Sequence, residues 1–149
     1  MRDCTEEIVS LMLTTRNGQG YRHISKSVLS AFVRYEWDSQ RWEIIVDHKT
    51  RRINGWISWY RLDDASLEVV KQHGIIGCFE QDIPLQAGDN LYFCNAVVRE
   101  GAPVGTLRFL VSMAKSANPH TKTISMHLRN RRNEPCRWSS FKRMRSNEL

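Results

Sequence analysis

One stretch, Gly88 to Lys115, constrains the fold more than any other. Leu91–Val98 is apolar almost throughout and holds Tyr92, Phe93, Val97 and Val98, so it reads as a strand buried on both faces. Arg99 to Ala102 is a short connector. Pro103 then suits the first turn of a helix, where its missing N–H would have no intrahelical partner anyway. Leu107, Leu110, Val111 and Ala114 recur at helical spacing, and Asn118-Pro119 stops the helix. A buried strand, a Gly-containing turn and a helix N-terminus together present backbone N–H groups to an anion or an acyl carrier.

The segments on either side fix the fold class. Thr5–Leu13 predicts a helix capped by Thr5, with Glu6 and Glu7 in its first turn. After the loop Arg16–Gly20, Ser25 or Ser27 caps a second helix running to about Tyr35, with Val28, Leu29, Ala31, Phe32 and Tyr35 inward. Trp42–Val46 and Ile53–Tyr60 predict a hairpin across a polar turn; Trp56, Ser58 and Tyr60 lie on one face, Ile57, Trp59 and Arg61 on the other. Asp63–Pro84 predicts a short helix or an irregular excursion. Lys122–Asn130, alternating at Ile124, Met126 and Leu128, and Arg137–Met144 complete the strands. The order predicts one α+β (mixed α/β) domain over residues 1–149, with a helix crossing over between Leu91–Val98 and Lys122–Asn130. Such a crossover is right-handed.

Composition excludes several classes. No apolar run reaches the length of a membrane span, and the first residues lack the order of a secretion signal, so a cytoplasmic protein is expected. Cys4, Cys78, Cys94 and Cys136 form no CxxC pair and no zinc spacing, so reduced thiols and no metal are expected. The net charge of +6 resides wholly in residues 120–149, which hold eight Lys/Arg and two acids. A basic end of this kind calls for an acidic protein, nucleic acid or a membrane surface as partner, and Arg129, Arg131 and Arg132 are the candidate contacts. The five tryptophans read as core and sheet packing rather than as a base-stacking platform.

Element order and motifs resemble the GNAT acyltransferase fold, and within it the RTX toxin-activating lysine acyltransferases. The matching pieces are His23 followed by Ser27-Val-Leu-Ser-Ala-Phe32, Gly55-Trp-Ile-Ser-Trp59, and Leu91–Val98 with its turn and crossover helix, across about residues 20–145. The resemblance implies a central, mostly antiparallel sheet flanked by helices, and transfer of an acyl group from a thioester carrier to a lysine or other amine. It implies no permanently bound cofactor; the donor is acyl-coenzyme A or an acylated acyl carrier protein. It assigns carrier contacts to backbone groups near Val97, Val98, Arg99, Gly101 and Gly105, and places His23 as base. Asn95 stands where that branch has an Asp, and beside His23 it is the catalytic candidate for orienting the base or a ligand. Pro103 and the spacing of Gly101 and Gly105 depart from the usual pyrophosphate loop, which favours the carrier protein as donor.

Other readings stay open beside this one. His23 is also simply a helix-start histidine, and Asn95 an amide satisfying backbone groups at a strand irregularity. Cys94 has no activating neighbour in the sequence, and His48 and His73 lie in polar turns. The same fold also serves as a non-catalytic binding or assembly module, as a bacteriophage virion component or an inhibitor of a host system, alone or as part of a homo-oligomer. A nucleic-acid binder acting through the basic segment is the third reading.

Overall fold

The computed structural model describes residues 2–15, 21, 23–129 and 135–143. Helix α1 spans Thr5–Thr14 and α2 spans Lys26–Ser39. Strands β1 (Trp42–Val46) and β2 (Ile53–Leu62) form the hairpin. Helices α3 (Asp64–His73) and α4 (Ile75–Glu80) fill the excursion before β3 (Asn90–Val98). Helix α5 (Thr106–Ala117), β4 (Thr123–Arg129) and β5 (Pro135–Lys142) follow. The strands make one sheet in the order β1-β2-β3-β4-β5, antiparallel except for β3 and β4, which α5 joins in parallel.

Three clusters of buried side chains hold the layers together. On one face α1 and α2 cover Ile53, Trp56 and Val97, using Ile8, Met12, Leu29 and Val33. Trp37, Trp42 and Trp56 stack there, with ring centroids 4.3 Å apart for Trp37–Trp42 and 5.5 Å for Trp42–Trp56, so these tryptophans are packing residues. Farther along the same face Phe32 joins Tyr60, Val70, Ile75 and Tyr92. On the opposite face Leu110 and Ala114 of α5 bury Ile57, Trp59, Leu91, Phe93 and Ile124. Gly55 lets α5 approach β2: a Cβ there would lie 2.7 Å from Leu110 Cδ1. The β2 alternation expected from the sequence is thus the alternation between these two faces.

Several local expectations are corrected. Thr5 does not cap α1 but is its first residue, after Cys4 at the cap position; Asp3 Oδ1 accepts from Thr5 N and Oγ1, and Asp3 is itself held by Arg34 of α2 at 2.5 Å. That guanidinium and the two Thr5 bonds pull the Asp3 carboxyl down to about 2. Helix α2 starts from Ser25, whose hydroxyl accepts from Val28 N, but it runs past Tyr35 to Ser39. Its buried stripe is Leu29, Phe32, Val33 and Glu36, while Ala31 and Tyr35 face outward, Tyr35 at 49 % exposure. The true period runs through an acid that a reading based on apolar residues passes over.

Helix α5 begins at Thr106, three residues later than Pro103 predicts. The reason is Gly105, whose φ of +92° breaks the helical path; Pro103 lies in the preceding turn, where its carbonyl accepts from Thr106 N and Oγ1. The buried stripe of α5 is accordingly Thr106, Leu110 and Ala114, with Leu107 exposed. The excursion contains two helices rather than one. Asp63 caps α3 through Ser66 N, and the strap before β3 crosses back over it, Asp63 N donating to Gln86 O.

Candidate functional site: a splayed strand backed by a buried carboxyl

Strands β3 and β4 pair only at Asn90–Tyr92 against Thr123–Ser125. Beyond Tyr92 the described residues show no further ladder between them: β3 continues beside β2 to Val98, and β4 continues beside β5. The sheet therefore opens into a V whose floor is the Tyr92–Ser125 pair. At that floor Tyr92 Oη bonds His127 Nδ1 at 2.8 Å and Trp138 stacks on Tyr92 at 5.8 Å, while His127 Nε2 lies 3.1 Å from the Lys71 carbonyl. These rings tie β3, β4, β5 and α3 together at the point of divergence.

The backbone of β3 presents part of its polar edge to the V. Arg99 N donates to Asn54 O, so Asn54 and Arg99 form a hydrogen-bonded pair. Pairs alternate along an antiparallel ladder, so Val97 exchanges its bonds with Trp56, and Ala96 and Val98 turn their N–H and C=O groups away from β2 toward the gap. Of the two valines expected to contact a carrier, Val98 has the free orientation, and Ala96 joins it.

Past the strand, Arg99 folds back, its Nε donating to the Ile53 carbonyl at 2.8 Å and its Nη2 lying 3.8 Å from Glu7. Its side chain thus serves the α1 side. Gly101 and Gly105 both adopt positive φ, 83° and 92°, and a Cβ at either would meet nothing within 4 Å. Backbone conformation, rather than close packing, is what calls for glycine there. Beyond Gly105, the N–H groups of Leu107 and Arg108 open the first turn of α5, as at any helix N-terminus.

Behind the splayed strand lies a buried polar network that the sequence reading missed in part. The β2–β3 register slips between Ser58 and Trp59, which places Asn95 opposite Ser58 and Phe93 opposite Trp59. Cys94 is the extra residue of this bulge, and it shifts the side-chain phase so that Asn95 faces α2. Asn95 is 3 % exposed; its Oδ1 accepts from Tyr21 Oη at 2.5 Å, and its Nδ2 donates to Glu36 Oε1 at 2.9 Å and Ser58 Oγ at 3.3 Å. Glu36 is 1 % exposed, and among the described residues no hydrogen bond meeting ordinary geometry reaches its second oxygen, Oε2. Burial pushes this carboxyl up to about 7; Ser58, Asn95, Cys94 and Tyr60 oppose the shift. Burial and the adjacent Glu36 raise the Tyr60 phenol in turn. A carboxyl poised near neutrality can take or give a proton at physiological pH.

The expected residues therefore separate. Asn95 sits inside the network, and its polar atoms are occupied by Tyr21, Glu36 and Ser58. His23 is exposed on the turn before α2, two residues from Tyr21. Arg129 ends β4, but its side chain, and all of Arg131 and Arg132, lie outside the described residues. Cys4, Cys78 and Cys94 are not in disulfides. Among the described residues no helix is long and apolar enough to cross a membrane. The signal for Glu36 was present in the sequence: an acid at the next helical step after Leu29, Phe32 and Val33.

No protein-family model matches the sequence, and no curated protein matches it. Among solved structures, the chain is similar to the GNAT-like decarboxylase GphF, solved in complex with isobutyryl-CoA. The TM-score is 0.59 at 11 % identity, and the match covers 85 % of this chain and 62 % of that one, under two thirds of the neighbour's length. At this identity the likeness speaks for architecture alone. The mixed α+β sheet, its splay and its crossover helix are those of a GNAT-like fold.

Proposed function

We propose that this chain binds an acyl thioester, carried by coenzyme A or by acyl carrier protein, in the V between β3 and β4, and transfers the acyl group to an amine. The observation that carries the reading is the splay itself. Beyond Tyr92–Ser125 an inner strand edge opens, with the Ala96 and Val98 backbone groups turned into it and the start of α5 following it in the chain. An extended, amide-bearing carrier arm can pair with such an edge as a short strand would. The GNAT-like neighbour was solved with an acyl-coenzyme A, which supports a thioester as ligand.

Two groups compete for the role of proton acceptor. His23, exposed on a turn that Tyr21 anchors to Asn95, is the one the toxin-activating resemblance assigns. Glu36 is the one whose surroundings tune it to neutrality. A non-catalytic binding module is the second reading, and it draws on the burial of Asn95, whose amide is engaged by Tyr21, Glu36 and Ser58.

Titration of ¹⁵N-labelled protein with butyryl-coenzyme A and, separately, with butyryl-acyl carrier protein tests the proposal. The amides of Ala96, Val98, Leu107 and Arg108 should shift with one of the two donors, and mass spectrometry should find acylated amine acceptors. Shifts without transfer select the binding module. Absence of shifts at these amides with both donors overturns the proposal. Loss of transfer in His23→Ala, but not in Glu36→Gln, assigns the base to His23; the reverse assigns it to Glu36.

A further inference from the structure

A second cavity, of about 970 Å³, lies between the C-terminal half of α2, the far end of β2, α4 and the strap of residues 81–89. It is separate from the V. Its strand wall is Tyr60–Leu62, which pairs with Asn90–Tyr92, the segment where β3 and β4 are still joined. Its volume falls within the range of small-molecule pockets.

The lining combines apolar and aromatic groups, Tyr60, Leu62, Ile75 and Phe79, with the cations Arg41 and Arg61 and the acids Asp82 and Asp89. Arg61 is engaged by Asp89 at 3.8 Å. Arg41 differs. Its guanidinium carbon sits 4.9 Å from the centroid of the Tyr60 ring, and its Nε donates to the Trp59 carbonyl at 3.4 Å. Among the described ion pairs none involves Arg41. A half-buried cation held in place against a ring, with no carboxylate partner among the described residues, lowers the free energy of an anion brought to it. Asp82, also on the strap, lines the cavity and forms no described ion pair with Arg41.

We propose that this cavity binds a small organic anion with an apolar body, a carboxylate on an aliphatic or arylalkyl chain. The carboxylate sits on Arg41, and the body lies along Tyr60, Ile75 and Phe79. The inference is independent of the thioester reading, because the two sites lie at opposite ends of β2 and β3.

Sodium octanoate is the probe, with octylamine as the charge-reversed control of equal chain length. Octanoate should shift the amides of Arg41, Tyr60, Phe79 and Ile83; octylamine should not. Arg41→Gln should weaken octanoate binding at least tenfold, and Arg41→Lys, which keeps the charge without the planar fork, by less. Both variants should keep the wild-type response of Ala96 and Val98 to butyryl thioesters, so failure here is distinguishable from failure of the proposed function. Equal binding of octanoate and octylamine would overturn the proposal. So would an unchanged octanoate affinity in Arg41→Gln, no shifts at millimolar octanoate, or shifts confined to the V.

Discussion

Glu36→Gln offers a quantitative test of the buried network. The Glu36 carboxyl rises from an ordinary value of 4.5 to about 7 on folding, chiefly through burial. An acid whose folded pKa exceeds its unfolded value binds more protons when folded, in the window between the two. Stability therefore falls as pH climbs from 4.5 to about 7 and levels off above. Below that window both states are protonated and the group contributes nothing. Integrating the two titrations, the penalty carried by Glu36 grows by about 2–3 kcal/mol between pH 5 and pH 8. Gln does not titrate, and its Oε1 can still accept from Asn95 as Glu36 does at 2.9 Å. The variant should thus gain about 2–3 kcal/mol on the wild type as pH rises across that range. For a chain of this size that is about 5–10 °C in melting temperature. Urea titrations of both proteins at pH 5 and pH 8 supply the double difference, which cancels every other titrating group. A double difference below about 0.5 kcal/mol would show that Glu36 is not desolvated in the folded state, and the tuning argument would fall with it.

Other perturbations probe the same architecture. Asn95→Asp sets a second carboxyl 2.9 Å from Glu36 Oε1, so it should destabilise by roughly 2–4 kcal/mol at pH 8 and markedly less at pH 5; equal loss at both pH values in denaturant melts would contradict like-charge repulsion. Gly88→Ala should be more damaging than Gly55→Ala. At Gly88 a Cβ would lie 2.4 Å from Asp63 Cα, which is backbone, whereas at Gly55 it meets Leu110 Cδ1 at 2.7 Å, the end of a side chain that can rotate; thermal melts of the two variants in the reverse order would refute the ranking. Gly105→Ala meets no neighbour but must hold a φ of +92°, so a loss of about 1–2 kcal/mol is expected, read from the same melts; a neutral result would mean the turn before α5 adapts.

What the sequence made legible follows from the range of the signals. The hairpin Trp42–Val46 with Ile53–Leu62, the strand Asn90–Val98 and the crossover helix are written in local periodicity, and the structure has them within a few residues. The GNAT-like fold class was legible from their order. The start of α5 was misread because Pro103 is a good first-turn residue in isolation, whereas the positive φ of Gly105 decides where helical hydrogen bonding can begin. The Tyr21–Asn95–Glu36 network was illegible for a different reason. Asn95 meets Glu36 across 59 positions and Tyr21 across 74, and no local pattern marks partners so far apart. The polar Asn95 inside an apolar run suggests a strand irregularity, but not the one-residue slip at Cys94 that aims it at α2. Ala96 and Val98 could be told from Val97 only once the hydrogen-bonded pairs of the ladder were placed, because alternation says which groups differ but not which set faces inward.

The divergence at Tyr92–Ser125 gives this sheet more borders than its strand count implies. Besides the outer margins at β1 and β5, it has two inner margins facing each other across a slot. Outer margins invite any passing strand, and proteins commonly blunt them against self-assembly. An inner margin needs no such blunting. The slot is closed at one end by the Tyr92, His127 and Trp138 rings, so its two margins are reached only from the other end. Hydrogen-bonding groups set on an inner margin are thereby held away from the outer edges at which sheets add to one another.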